Sequence, residues 1–244
     1  MKKDRNTDEM MKQLIPIVRS VKPYFLNRER ALHVREKGLA DFVTQVDVLV
    51  QEYVKQRLKE CWPDIQFMGE EQDNSQVDFS GPVWILDPVD GTTNLVHDYR
   101  CSALSLALWD GECLRIGIVY QPYTEELFFA EKGKGAYLNG DRIQVSGVKT
   151  LEGSLVSIGT SPYHHELAEE NFRLFKEVFL RCSDIRRQGS AAADLAYVAC
   201  GRTDAFFERN LKPWDFAAGI LLVEEAGGAV TDFQGNAGSS RGAV

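Results

Sequence analysis

The run Val83-Trp84-Ile85-Leu86, followed at once by Asp87-Pro88-Val89-Asp90-Gly91, restricts what this chain can become more than any other segment. Four consecutive apolar residues do not alternate, so the strand they form is apolar on both faces and must be covered on both. It then delivers two carboxylates, three residues apart, into a turn. Pro88 fixes one backbone angle there, and Gly91 permits a tight approach. In open α/β sheets, ligands bind beyond the carboxyl ends of strands. Two like charges held together at such a place are unfavourable unless a cation sits between them. A donor set of oxygens without Cys or His suits Mg²⁺ rather than Zn²⁺. Beyond Gly91, the backbone N–H groups of Thr92 and Thr93 are placed to face an anion. Asp-Pro and Asp-Gly are each common turn dipeptides; both together behind a buried strand point to a site.

The chain around this segment has 244 residues, 44% hydrophobic and 26% charged, the balance of a soluble globular protein of one large or two small domains. A disordered tail, a collagen-like repeat and a disulfide-stapled mini-protein are excluded. The net charge of −8 lacks the basic footprint of a nucleic-acid binder and suits an anionic membrane surface no better. Five scattered cysteines without a CxxC pair are expected as reduced core thiols of a cytoplasmic protein. The start has basic residues but no apolar stretch of signal-peptide length, and no apolar run is long enough for a transmembrane helix.

Periodicity predicts two α/β sections. Residues 7–27 read as one amphipathic helix interrupted by Pro16 and Pro23, residues 37–41 as a loop, and Thr44 or Asp47 as the start of a helix to Cys61. Residues 65–68 are a short strand. Residues 102–109 and 114–120 form a hairpin across Asp110-Gly111, and 126–130 with 135–139 a second one closed at Asn139-Gly140. Farther on, 154–158, 204–208 and 229–233 read as strands. Residues 165–181, 190–200 and 214–226 read as helices, with Leu167, Phe172, Phe175 and Phe179 as core contacts of the first. The composition shifts near residue 150. Residues 1–150 are expected as an N-terminal α+β subdomain and 151–244 as a C-terminal α/β subdomain, two parts of one unit sharing a crevice.

More acids fall at element ends. Glu70 and Glu71 follow the 65–68 strand, and Asp215 stands in the first turn of a helix opened by Pro213, a place that also suits capping. Asp41 and Asp47 flank Val43-Thr44, where either can cap the second helix. Gly69-Glu70-Glu71, Trp84 through Asn94 (WxxDPxDGTTN), Trp214 through Gly219 (WDxAAG), Asp41 through Asp47 and Gly189 through Leu195 occur in this order over nearly the whole chain. In these motifs the sequence resembles the inositol monophosphatase family, within the larger group of Mg²⁺-dependent, lithium-sensitive phosphatases.

The resemblance implies an α/β protein of α+β type, a layered αβαβα sandwich working as a homodimer. It implies Glu70, Asp87 and the Val89 carbonyl as ligands of a first metal, and Asp87, Asp90 and Asp215 as ligands of a second. Glu70 would also approach a third ion through water. Asp47 and Thr92 would orient the attacking water, and Gly91 and Thr92 would contact phosphate. Asp90, Ser190, Ala191 and Glu208 would meet the alcohol side of the substrate, and Lys37 would stand on a mobile loop near the phosphate. The implied cofactor is Mg²⁺, two or three ions per site, with Mn²⁺ as a substitute and Li⁺ and Ca²⁺ as inhibitory occupants. The implied reaction is hydrolysis of inositol monophosphate, a small phosphorylated polyol, by in-line attack of a metal-activated water without a phosphoenzyme. The same motifs serve fructose-1,6-bisphosphatases, 3′-phosphonucleotide phosphatases and histidinol-phosphate phosphatases. Some bacterial relatives act in transcription complexes, so a binding protein that retains the fold is the reading from another class.

Other features carry less. Gly133-Lys134-Gly135 hints at a phosphate loop but lacks GxxxxGK[ST] and opens no helix. His97, His164 and His165 form no metal pattern. Arg186-Arg187 suits steering of an anionic substrate, an intersubunit pair or a plain surface role. The family pattern continues past Asn236 through a further strand and helix, whereas this sequence reaches Val244; the difference is expected to touch packing of the second section more than the metal site. With Asp47, Glu70, Asp87, Asp90 and Asp215 assigned to one crevice, the remaining chain is nearly neutral, and much of the acidity becomes a cation socket.

Overall fold

In the computed structural model, which describes residues 6–38 and 41–236 without the side chains of 36–41, the apolar run at Val83 lies inside a seven-stranded sheet. The first elements are α1 (Thr7–Arg19), α2 (Lys22–Phe25), α3 (Arg28–Ala31), β1 (Val34–Gly38), β2 (Asp41–Thr44), α4 (Gln45–Cys61), β3 (Gln66–Gly69), β4 (Val83–Asp90) and α5 (Thr92–Val96). Next come β5 (Ala103–Trp109), β6 (Leu114–Gln121), β7 (Glu126–Glu131), β8 (Gly135–Leu138), β9 (Asp141–Ile143), β10 (Leu155–Ile158), α6 (Ala168–Phe179), β11 (Asp184–Arg186), α7 (Ala191–Ala199), β12 (Ala205–Phe207) and α8 (Pro213–Glu225). The large sheet has the order β3-β4-β5-β6-β7-β8-β9, with β3 and β4 parallel and the rest antiparallel. A second sheet, β11-β10-β12, is parallel, and β1 and β2 form a separate antiparallel pair.

Alternate residues of β4 serve two cores. Trp84 and Leu86 pack with Leu104, Leu106 and Ile118 against Leu14, Val18, Val50 and Val54 of α1 and α4. Val83 and Ile85 pack with Ala107, Val119 and Phe128 against Ala192, Ala196, Ala218 and Leu222 of α7 and α8. The next sheet sends Phe206 toward this second core, and Val156, Ile158 and Phe207 toward Phe175 of α6. The layers are therefore helix, sheet, helix, sheet, helix: the αβαβα arrangement. The Ala217-Ala218-Gly219 run lets α8 lie directly on β6, where a Cβ on Gly117 would come within 2.7 Å of the Ala218 carbonyl oxygen. All seven residues of β5 are buried, because helices cover both faces.

Several local expectations change. The 7–27 helix is two helices, because the chain turns at Ser20-Val21 and Pro23 occupies the first turn of α2, where its missing N–H is no loss. Residues 37, 38 and 41 belong to the β1–β2 pair rather than a loop. Lys132-Gly133-Lys134, not Asn139-Gly140, joins β7 to β8; Asn139 and Gly140, with φ of 51° and 98°, turn β8 into β9. The Gly133 and Gly135 N–H groups donate to Glu225 at 2.9 and 3.0 Å, so a carboxylate at the end of α8 takes the donors of the supposed phosphate loop. In α6 only Phe175 of the expected aromatic contacts is buried; Phe172 and Phe179 are exposed, because the helix rests on one narrow stripe. Residues 229–233 form no strand among the described residues; Asp232 Oδ1 instead accepts from Gln234 N and Asn236 N, both at 2.9 Å, which holds a turn. The segment beyond Asn236 lies outside the described residues. The five cysteines are free thiols, and no described helix is long and apolar enough to cross a membrane.

Candidate metal centre

The parallel pair β3–β4 sets Gly69 opposite Leu86, and the Glu70 N–H donates to the Leu86 carbonyl at 3.2 Å. The two chains thus leave the sheet side by side, carrying Glu70 next to Asp87. In a regular strand Asp87 and Asp90, an odd number of residues apart, would point to opposite faces. Pro88 has no N–H for the ladder, and the pairing with β5 slips by one residue between Asp87–Ser105 and Asp90–Ala103. This bulge re-phases Asp90 so that both carboxylates act on each other. Gly91 follows with φ of 88°; a Cβ there would meet the Gly189 and Cys101 carbonyl oxygens at 2.9 and 3.1 Å.

Three helix starts bring the other groups. Thr44 caps α4, and Asp47 Oδ2 accepts from Thr44 N at 2.9 Å while its Oδ1 accepts from the Thr92 hydroxyl at 2.8 Å. The Thr92 oxygen is also 3.0 Å from the Val89 carbonyl. Ser190 caps α7, and its hydroxyl and Ala192 N donate to Asp90 Oδ2 at 2.6 and 2.7 Å, with the Ala191 N–H also directed at Asp90. Asp215 stands in the first turn of α8 and accepts from Lys212 N at 2.6 Å; the Ser105 hydroxyl fixes that turn through the Trp214 carbonyl. Glu208 follows β12 and accepts from Ser161 N at 2.9 Å. It lies across Gly159, where a Cβ would fall 1.9 Å from its carboxyl carbon. Lys37 lies in β1, with its side chain outside the described residues.

Burial dominates the electrostatics. Asp47, Asp87 and Asp90 are 0, 2 and 9% exposed. Desolvation pushes Asp47 and Asp90 up to about 6, Asp215 to about 8 and Glu208 to about 7. Asp87 rises well above the usual carboxylate range, through burial and then through Glu70, Asp90 and Asp215. Against this, the donors to Asp87 and Asp215 each engage one carboxylate oxygen, and Ser190 and Ala192 share one oxygen of Asp90. Asp47 is engaged on both. Among the described residues no three acids, cysteines or histidines already close on one point as a finished metal cage. The oxygen-only donor set of Glu70, Asp87, Asp90 and Asp215 with the Val89 carbonyl fits hard divalent cations, and Asp47 fits a partner of Thr92 better than a ligand.

The raised values have a thermodynamic consequence. Each group holds, when folded, a proton that the unfolded chain releases near pH 4, so stability falls as pH rises from about 4 to about 8 and is level above. In EDTA the melting temperature is expected to be higher at pH 6 than at pH 8, and Mg²⁺ to raise it more at pH 8. Thermal melts at both pH values check this; a metal-free melting temperature that climbs from pH 6 to pH 8 contradicts it.

Residues to which the resemblance assigns no role complete the site. Asn94 Nδ2 donates to the Cys101 and Gln188 carbonyls at 2.6 and 2.8 Å, tying the turn after Gly91 to the loop before Ser190. Asp194, buried on α7 and raised to about 7 by desolvation, accepts from Gln188 Nε2 at 2.8 Å. Of the two arginines, Arg186 pairs with Asp184, while Arg187 bonds Thr160 at 3.1 Å and its charge counters Asp90 and Glu208. Gln51, one turn beyond Asp47 on α4, is buried and accepts from Glu71 N at 2.9 Å. Its only sequence signal is the i, i+4 spacing from Asp47.

An acidic, oxygen-only centre at strand ends of a layered αβαβα fold defines a member of the phosphatase superfamily that the motifs resemble. The chain belongs to the inositol monophosphatase family, whose sequence model matches residues 6–244. The family is in general Mg²⁺-dependent. The chain is 39% identical over 213 residues to the Nus factor SuhB of Xylella fastidiosa, covering 86% of this chain and 76% of that protein. Among solved structures, the extragenic suppressor protein suhB of Bartonella henselae matches with a TM-score of 0.88 and 37% identity over 93% of this chain and 89% of that one. An IMPase of Thermotoga maritima matches with a TM-score of 0.83 and 33% identity over 96% and 89%.

Proposed function

We propose that this protein is a cytoplasmic, homodimeric Mg²⁺-dependent phosphomonoesterase of small phosphorylated polyols, with inositol monophosphate as its type substrate. The observation that carries the reading is the meeting of Glu70, of Asp87 and Asp90 on β4, and of Asp215, from three segments, beside the Thr92–Asp47 hydrogen bond. Glu70, Asp87 and the Val89 carbonyl would hold one cation and Asp87, Asp90 and Asp215 another. Bound there, the cations supply positive charge to the phosphate and acidify water. The rest falls to the chain. With its proton given to Asp47 Oδ1, the Thr92 oxygen accepts from the attacking water, so the water's proton passes to Thr92 as Thr92's own passes to Asp47. Asp47, already the acceptor of the Thr92 hydroxyl at 2.8 Å, is placed to take that proton. Gly91 and Thr92 contact the phosphate, with Lys37 nearby. Asp90, Ser190, Ala191 and Glu208 meet the alcohol; Ser190 and Ala191, already turned to Asp90, act largely by holding it.

A second reading, a transcription-complex binding protein on the same fold, is favoured by relatives named Nus factor. Phosphate release from inositol 1-phosphate, fructose 1,6-bisphosphate, a 3′-phosphonucleotide and histidinol phosphate, with and without Mg²⁺ and Li⁺, separates the two. Mg²⁺-dependent release from inositol 1-phosphate, inhibited by Li⁺, is expected. Retention of RNA polymerase without turnover of any ester contradicts the enzyme reading and supports the other.

A further inference from the structure

We infer that Gln51 is a positioning residue for Glu70, through which α4 aligns both the proton acceptor and one side of the cation site. The inference rests on the metal-site reading above. Asp47, Gln51 and Lys55 lie at successive i, i+4 positions and form one row on α4. Each takes a different partner. Asp47 takes the Thr92 hydroxyl; Gln51 Oε1 takes Glu71 N at 2.9 Å; Lys55 Nζ donates to Gln72 Oε1 at 2.8 Å. The turn that Gln51 and Lys55 hold is closed on itself as well. Asn74 Nδ2 donates to the Gly69 carbonyl at 2.8 Å, and Gln72 Nε2 to the Phe67 carbonyl at 3.1 Å.

Within that turn Gln51 holds the peptide immediately after Glu70, so its pull fixes the direction in which the Glu70 side chain leaves the chain. The Gln51 side chain is 2% exposed and wedged against Gly69, where a Cβ would come within 2.4 Å of the Gln51 Oε1. This N–H is part-buried, and losing its acceptor leaves the donor unsatisfied or the turn displaced. Glutamine accepts without adding charge to a crevice whose acids already repel one another. Outer partners of this kind orient metal ligands, and their loss weakens metal binding by about 10–100-fold.

Mg²⁺ binding measured by isothermal titration calorimetry on wild type, Gln51→Leu and Gln51→Glu, each first melted in EDTA, tests this. Gln51→Leu removes the acceptor and is expected to bind Mg²⁺ about tenfold more weakly, with kcat recovered at saturating Mg²⁺. Gln51→Glu keeps an acceptor, and its added negative charge favours a cation, so it is expected to bind Mg²⁺ no more than about threefold more weakly than wild type. Wild-type affinity in Gln51→Leu, or equal losses in both variants, overturns the role of Gln51. If Gln51→Leu does not fold, a folded Gln51→Glu with wild-type affinity supports the role, and one with a tenfold loss overturns it. A wild type that binds no Mg²⁺ contradicts the metal site itself, and the role of Gln51 with it.

Discussion

Asp90→Asn is expected to abolish Mg²⁺-dependent phosphate release while the protein stays folded. Asp90 is the carboxylate shared between the bulged strand end and α7, accepting Ser190 and Ala192 on one oxygen. An asparagine keeps an acceptor for those donors, so α7 stays in place. It loses the charge that would hold a cation, and charge stabilisation by such ions is worth several kcal/mol, or about 10³-fold in rate. Removing one of several repelling acids also relieves strain in the metal-free state. The melting temperature in EDTA at pH 8 is therefore expected to equal or exceed that of wild type. Near-normal Mg²⁺-dependent release in this variant contradicts the assignment.

Gly91→Ala is expected to damage stability and activity together. At φ of 88° an alanine is strained, and its Cβ would press on two backbone carbonyls, of Gly189 and Cys101, that cannot rotate away. Strain and overpacking together cost about 2–4 kcal/mol. Because those carbonyls belong to the loops pinned by Asn94, the shift reaches Asp90 and Thr92, and a displacement of that kind lowers turnover by about 100-fold. Gly140→Ala is the control: its φ is 98°, yet nothing lies within 4 Å of the added Cβ. Denaturant melts of both variants should show a loss of about 1–2 kcal/mol for the control, with activity unchanged. Equal behaviour of the two contradicts the role of the crowded turn.

The centre was more legible than its surroundings for a physical reason. Val83–Leu86 reads as a doubly covered strand because the apolar run is unbroken, and Asp87-Pro88-Val89-Asp90-Gly91 reads as a site because acids, Pro and Gly are local signals. Long helices such as α4 and α8 show the same directness. What was missed depends on contacts distant in sequence. Nothing near Gln51 announces Glu71, nor anything near Asn94 the Gln188 carbonyl, since both bonds form only once the layers stack. Residues 37–41 read as a loop because Gly38 and Asp41 are turn formers by composition, although residues 37, 38 and 41 belong to the β1–β2 pair. Phe172 and Phe179 read as core in the sequence because spacing alone does not say how narrow a stripe α6 buries. The bulge at Pro88 joins the two kinds of signal: the proline is visible, but the re-phasing of Asp90 needs β5 beside it.

The central claim is that carboxylates from β4, α8 and the end of β3 form one divalent-cation centre. Anomalous scattering from crystals soaked in Mn²⁺, collected above the manganese absorption edge, tests it most directly. The account predicts peaks between Glu70 and Asp87 and among Asp87, Asp90 and Asp215. Saturating Mn²⁺ that appears elsewhere on the molecule and leaves these carboxylates bare would contradict it.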